Sequence, residues 1–153
     1  MTGYLGETAR TAEVLHEGWY VTGDIAAIDD EGFLRITDRL SRFSKIAGEM
    51  VPHLRIEDAI ASVLESAPCA VTAIADDRRG ERLVALYVSD MDPGVLWQKL
   101  SETDLPRLWL PKRENIYRVE MLPQLGTGKL DLRGLKARAE ELAAQTELAA
   151  PRS

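Results

Sequence analysis

The stretch RFSKIAGEMVPHLRIEDAI, residues 42–60, sets two periodicities back to back. Its first half is two short apolar runs on either side of Ala47-Gly48. Small residues that tolerate a tight turn between two such runs predict a β-hairpin. Pro52 follows, and a proline suits the start of a helix because its missing N–H would have no partner there anyway. Beyond it Ile56, Ala59, Ile60, Val63 and Leu64 fall at i, i+3, i+4, i+7 and i+8, which is one face of a helix. A hairpin that runs straight into an amphipathic helix points to a mixed α and β domain.

The same alternation of types continues outward. CAVTAIAD (69–76) and RLVALYVS (82–89) are β-rich runs around the turn DDRRGE (76–81). Asp92-Pro93 opens a second helix to about Leu100, with Val95, Leu96 and Leu100 facing inward. RENIYRVEML (113–122) reads as a third strand, and Asp131 as the N-cap of a last helix whose apolar face is Leu132, Leu135, Ala139 and Leu142. Upstream, WYVTGDIAAIDDEGFLRITDR (19–39) predicts strands near Ile25–Ile28 and Phe33–Thr37 joined by DDEG. Residues 1–18 read as an irregular arm around a short helical piece, TARTAEVL. No internal repeat is present. The expected fold is α+β, an N-terminal hairpin plus a three-stranded sheet flanked by helices.

Composition narrows the function classes. The 153 residues are 45% hydrophobic and 29% charged, the balance of an ordinary globular domain able to bury its own core. A net charge of -6 argues against an electrostatic nucleic-acid binder and against a polybasic membrane-surface protein. The single cysteine, Cys69, rules out an internal disulfide framework, fits a reducing compartment, and opens an apolar run as a small buried hydrophobe would. No signal peptide and no stretch near the ~20 apolar residues of a membrane span is found, so a cytoplasmic location and no membrane insertion are expected. His16 and His53 are not spaced with other ligands, so no metal site is expected.

LPQLGTGKLDLR (122–133) raises the question of chemistry. Gly-Thr-Gly-Lys suggests a phosphate loop, which requires G-x-x-x-x-G-K-[ST]. Here Leu130 follows Lys129, and Pro123 stands where the first glycine belongs, so the phosphate-loop reading fails. An exposed lysine on a surface turn is the plain alternative. In GWYVTGD (18–24), Trp19 and Tyr20 read as apolar anchors and Thr22-Gly23 presents Asp24. That aspartate is either a turn-maker or, as an acceptor-only carboxylate, a partner for two vicinal hydroxyls. In DRLSRFSKIAGEMV (38–51), Arg39, Arg42 and Lys45 are three residues apart, either a solvated cationic edge or a phosphate-facing cluster.

GWYVTGD, then RLSRFSKIAGE (39–49), then PQLGTGKLDLR (123–133) resemble, in order, three signatures of the acyl-adenylate-forming enzymes. SRFSKIAGEMVPHLRIEDAI and ENIYRVEMLPQLGTGKLDL look most like the synthetase portion of bifunctional acyl-carrier-protein synthetase/2-acylglycerophosphoethanolamine acyltransferases. The resemblance spans roughly residues 3–138. It implies a family C-terminal domain behind the last piece of a large AMP-binding domain: residues 1–38, then a mobile domain over 39–144, then a frayed tail over 145–153. The large N-terminal domain, with its phosphate loop and most of the acyl and adenine pockets, is the implied partner, and the fragment is expected to be inactive alone.

Carried over residue by residue, the resemblance implies that Lys129 bridges the substrate carboxylate and the ATP α-phosphate. Asp24 is implied to hold the ribose hydroxyls, and Arg39 to lie near ribose and α-phosphate. Gly48 and Glu49 would line the channel for the phosphopantetheine thiol of acyl carrier protein or CoA after a domain rotation about Ser41. The glycines beside Lys129 are expected to give mobility and close approach. Ser41 departs from the usual Asp or Lys hinge, and Asp38 from the usual glycine before the arginine. Mg²⁺ would come with ATP and be bound mainly through the large domain. A full-length parent at the inner membrane is the variant of localisation that the subfamily resemblance carries. Two other readings stand beside the ligase. One is a non-catalytic carrier-protein docking module using the basic stretches DDRRGER (76–82) and PKRENIYR (111–118). The other is a nucleotide binder acting alone, for which no adenine pocket or phosphate loop is found.

Overall fold

A computed structural model describes residues 2–149. The chain divides into two compact units, 1–41 and 42–153. Three elements of the first unit come early: α1 (Thr8–Val14), β1 (Leu15–His16) and β2 (Trp19–Tyr20). The β1–β2 pair turns at Glu17 and Gly18, both at positive φ. Next come β3 (Asp24–Ile28) and β4 (Leu34–Arg39), antiparallel with an irregularity between Ile25 and Ala26. Asp29 shapes their loop by accepting from the N–H groups of Glu31 (3.1 Å) and Phe33 (2.8 Å). None of the described residues in this unit is buried. Ile28, Phe33, Leu34 and Ile36 are all exposed. Trp19, expected to be an anchor, is 79% exposed, and Tyr20 is exposed as well. Two-stranded hairpins offer too little surface to bury such groups by themselves.

The second unit has a true core. β5 (Phe43–Ile46) and β6 (Glu49–Pro52) form the expected hairpin, in register Phe43↔Pro52 to Ile46↔Glu49. α2 (His53–Val63) follows with Pro52 at its cap. β7 (Cys69–Asp76), β8 (Gly80–Tyr87) and β9 (Ile116–Arg118) make the three-stranded sheet in that order, β7–β8 antiparallel and β8–β9 parallel. α3 (Pro93–Ser101) lies between β8 and β9, and α4 (Leu132–Ala149) closes the described chain.

Both faces of this sheet are covered. Val71, Leu83, Ala85 and Tyr87 pack with Ile56 and Ile60 of α2, Leu96 and Leu100 of α3, and Ile46 and Val51 of the hairpin. Their sequence neighbours Ala70, Ile74, Val84 and Leu86 point the other way, onto Leu135, Ala139 and Ala143 of α4. A strand buried on both sides needs apolar residues at every position, which is why β7 and β8 read as continuous runs rather than alternation.

Three expectations are corrected here. Val95 is 46% exposed, so the buried residues of α3 are Leu96 and Leu100, with Trp97 partly buried against the same cluster. The third strand is only Ile116–Arg118, because residues 113–115 form a 3₁₀ turn before it and one further bond, Val119 N–H to Tyr87 C=O (2.9 Å), ends the pairing. Helix α4 runs through Ala149, so residues 145–149 of the expected tail are helical; residues 150–153 lie outside the described residues.

Candidate functional site

Lys129 sits on a small hairpin that leads into α4. Gln124 and Leu130 pair as an antiparallel bridge, and the Leu125 N–H donates to the Lys129 carbonyl at 2.8 Å. Inside it, the Gly128 N–H donates to the Leu125 carbonyl at 2.8 Å, and Gly128 holds φ +79. This is a turn followed by a left-handed residue, a conformation glycine reaches without a steric penalty. The turn is closed by its own bonds, and Gly128 has a backbone reason to be glycine. A Cβ on Gly126 or Gly128 would meet nothing within 4 Å, so the turn stands in open space.

Asp131 ties the exit of this hairpin to the helix. Its N–H donates to the Pro123 carbonyl (2.9 Å), and its Oδ1 caps α4 by accepting from the Arg133 N–H (3.0 Å). Lys129 itself is exposed, and no ion pair among the described residues involves it.

Gly48 and Glu49 lie at the tip of the β5–β6 hairpin. Ala47 (φ 51) and Gly48 (φ 90) form a two-residue turn in the left-handed region, so Gly48 has a backbone reason to be glycine. A Cβ there would also meet nothing within 4 Å, which leaves the space beside its backbone open. Glu49 is exposed, and its Oε1 accepts from the Trp109 indole N–H at 2.9 Å.

Asp24 and Arg39 meet within the first unit. They are cross-strand partners of β3 and β4, and Arg39 Nε lies 3.0 Å from Asp24 Oδ1. That oxygen is buried yet receives no aligned hydrogen bond among the described residues. Its close partner is the Arg39 guanidinium, which compensates its charge without an aligned hydrogen bond. Ser41 is exposed at the middle of a 3₁₀ turn (Leu40–Arg42) and is the last residue of the first unit.

Arg42 corrects the cationic cluster. Its guanidinium is mostly buried and paired with Glu57 of α2, so it cannot face a phosphate. Glu57 also accepts from the Val71 N–H at 2.6 Å. Burial pushes the Glu57 carboxyl above its ordinary value, against the opposing pull of the Val71 N–H and Arg42. Arg39 belongs to the first unit and Arg42 and Lys45 to the second.

The remaining chemical side chains have structural uses. Cys69 is half-buried, and burial pushes its thiol up to about 11, which keeps it protonated. His53 begins α2 and hydrogen-bonds the buried Ser44 hydroxyl at 2.6 Å. Among the described residues no group of three or more His, Cys, Asp or Glu side chains could hold a metal ion, and no helix is long and apolar enough to cross a membrane. The two basic stretches converge: Arg79 and Lys112 line one cleft of about 640 Å³ together with Arg107 and Trp97. The Trp109–Glu49 bond and the Arg42–Glu57 pair span 60 and 15 residues, and no sequence signal announced either.

This geometry has counterparts. Residues 55–129, which end at the turn lysine, match the family described as the AMP-binding enzyme C-terminal domain. The chain belongs to that family. It is 36% identical over 130 residues to the long-chain-fatty-acid–CoA ligase FadD13 of Mycobacterium tuberculosis, covering 83% of this chain and 25% of that protein. To the 2-succinylbenzoate–CoA ligase of Listeria innocua it is 35% identical over 138 residues, covering 89% and 29%. The amide bond synthetase McbA of Marinactinospora thermotolerans superposes with a TM-score of 0.71 at 30% identity, over 90% of this chain and 28% of that one. The chain thus spans between a quarter and a third of these relatives. The C-terminal-domain fold expected from the sequence is the one they share.

Proposed function

We propose that this chain is the C-terminal lobe of an ATP-dependent acid–thiol ligase. The enzyme adenylates a carboxylic acid, most simply a fatty acid, and passes the acyl group to the phosphopantetheine thiol of CoA or acyl carrier protein. The observation that carries this reading is the exposed Lys129, in no ion pair among the described residues, on a hydrogen-bonded turn at the end of the family match. In the first half-reaction a carboxylate oxygen attacks the α-phosphorus of ATP, and pyrophosphate leaves. Two anions must approach, and the Lys129 ammonium offsets the charge that builds between them. Asp24 accepts from the ribose hydroxyls, while Arg39, its cross-strand ion-pair partner, stays beside it near the α-phosphate. Mg²⁺ enters with ATP and is held mainly by the large domain.

In the second half-reaction the lobe turns about Ser41, Lys129 withdraws, and the Gly48–Glu49 tip lines the path of the pantetheine thiol. A rotation point at Ser41 is supported by the division of the chain there and by Arg42, the next residue, being anchored in the second unit. The large AMP-binding domain is the partner that would cover Phe33, Leu34 and Ile36. CoA is favoured as acceptor by the two relatives named as CoA ligases; the carrier protein is the acceptor of the subfamily resemblance.

The test joins this chain to its large domain and supplies ATP, a fatty acid and either CoA or holo-carrier protein. Stoichiometric AMP and thioester are expected with one of the two thiols, and neither product with the chain alone. Absence of AMP with the joined protein and every acid and thiol tried contradicts the proposal. The cleft of Arg79, Arg107 and Lys112 favours a second reading, a docking surface for an acidic carrier protein. In an NMR titration with holo-carrier protein, shifts at residues 42–51 support the ligase, and shifts confined to that cleft support docking alone.

A further inference from the structure

The β5–β6 hairpin is tied to the rest of its unit by three bonds near its tip. The Ala47 N–H donates to the Arg79 carbonyl (3.1 Å) and the Lys45 N–H to Glu81 Oε2 (2.7 Å), both at the β7–β8 turn. The third is the Trp109 indole N–H on Glu49 Oε1 (2.9 Å). Trp109 ends the 3₁₀ turn Arg107–Trp109, and its ring packs on the core cluster that α2 and α3 share. The donor is thus fixed by packing, whereas Glu49 is exposed. Without that bond its carboxylate would be free to move among rotamers. Some of these carry a full negative charge toward the opening beside Gly48, where a Cβ would meet nothing within 4 Å.

We propose that Trp109 is a positioning residue for thiol transfer: its indole N–H holds the Glu49 carboxylate aside and keeps the backbone strip at Gly48 open and uncharged. This rests on the reading of the hairpin as the thiol path. In the step concerned the acceptor sulfur forms a C–S bond to the acyl carbonyl carbon. The bond from that carbon to the AMP oxygen breaks, AMP leaves with the electron pair, and the thiol proton passes to solvent. A loose carboxylate beside this path would repel the thiolate and raise the pKa of the thiol.

The experiment uses the chain joined to its large domain and separates the half-reactions. Trp109→Phe keeps a ring for packing and removes the N–H. Pyrophosphate exchange is expected unchanged, while transfer from preformed acyl-adenylate to CoA slows about tenfold, roughly the worth of one hydrogen bond to a charged group. The pH profile of transfer moves upward. In a Glu49→Gln background the same substitution is expected to change transfer less than about twofold, because no charge is left to hold. Equal slowing in both backgrounds, or parallel loss of both half-reactions with an unmoved pH profile, overturns the proposal. A parent protein that makes acyl-adenylate but never thioester overturns the functional reading instead. A measurement on this chain alone guards against a variant that fails to fold: the Trp109 indole ¹⁵N–¹H resonance should move upfield on Glu49→Ala, and a fixed resonance overturns the contact.

Discussion

Glu57→Ala strands two donors at once. The Arg42 side chain is 11% exposed and Glu57 is 13% exposed, and Val71, whose N–H completes the set, is fully buried. Removing one member of a buried ion pair costs about 3–5 kcal/mol, because the other charge stays behind unpaired. The unmet Val71 N–H alone would cost about 1–3 kcal/mol. The two costs overlap, so about 4 kcal/mol is the working figure, against a total of about 5–15 kcal/mol for a domain of this size. The assay is urea unfolding of the chain, followed by fluorescence of Trp97 and Trp109, both in the same unit. With a slope near 2 kcal/mol/M, the midpoint should fall by about 2 M. In an Arg42→Ala background the same change should cost at least about 2 kcal/mol less, since the stranded charge is gone. A midpoint shift below about 0.5 M refutes the structural role of Arg42 and returns it to the cationic cluster.

Other consequences follow from single contacts. With its thiol pushed from 9.0 to about 11 by burial, Cys69 should react with iodoacetamide at pH 8 about 100-fold more slowly than an unperturbed thiol of that value; equal rates would contradict its burial. The same raised value stabilises the fold below pH 9, an effect lost as pH rises through about 11, readable as a falling Tm in alkali. Leu135→Ala removes a fully buried contact of α4 with the sheet and should cost about 2–5 kcal/mol in urea unfolding. Gly128→Ala forces a side chain into φ +79 and should cost about 1 kcal/mol, while Gly126→Ala, whose backbone is not in that region, should cost less.

Much of the second unit was legible because its signals are local. The hairpin around Ala47-Gly48, the α2 face of Ile56 and Ile60, and the Asp92 and Asp131 caps each depend on residues a few positions apart. The β-rich runs 69–76 and 82–89 became the β7–β8 pair, also from local composition. What failed depends on distant partners. Val95 has the right spacing to be buried, yet it stays 46% exposed. Arg42 looked like its neighbours Arg39 and Lys45 until Glu57 claimed it. Trp19 looked like an anchor because large apolar residues usually are, but the described residues of its unit bury nothing. At the candidate site, Asp24 and Arg39 came together through strand register, which sequence spacing across a loop does not fix. Lys129 stood out by elimination of the phosphate loop and by resemblance; that no ion pair among the described residues involves it is a fact of the fold alone.

The central claim is that one exposed ammonium serves the first half-reaction and is absent from the second. The direct measurement is made on the chain joined to its large domain with Lys129→Ala. Carboxylate-dependent pyrophosphate exchange should fall by at least about 100-fold, the scale of removing one charged group at a developing anion. Conversion of supplied acyl-adenylate to thioester should stay within about twofold of the parent, as for an interaction made in one transition state only. Exchange that survives the substitution, or both half-reactions falling together, would contradict the account.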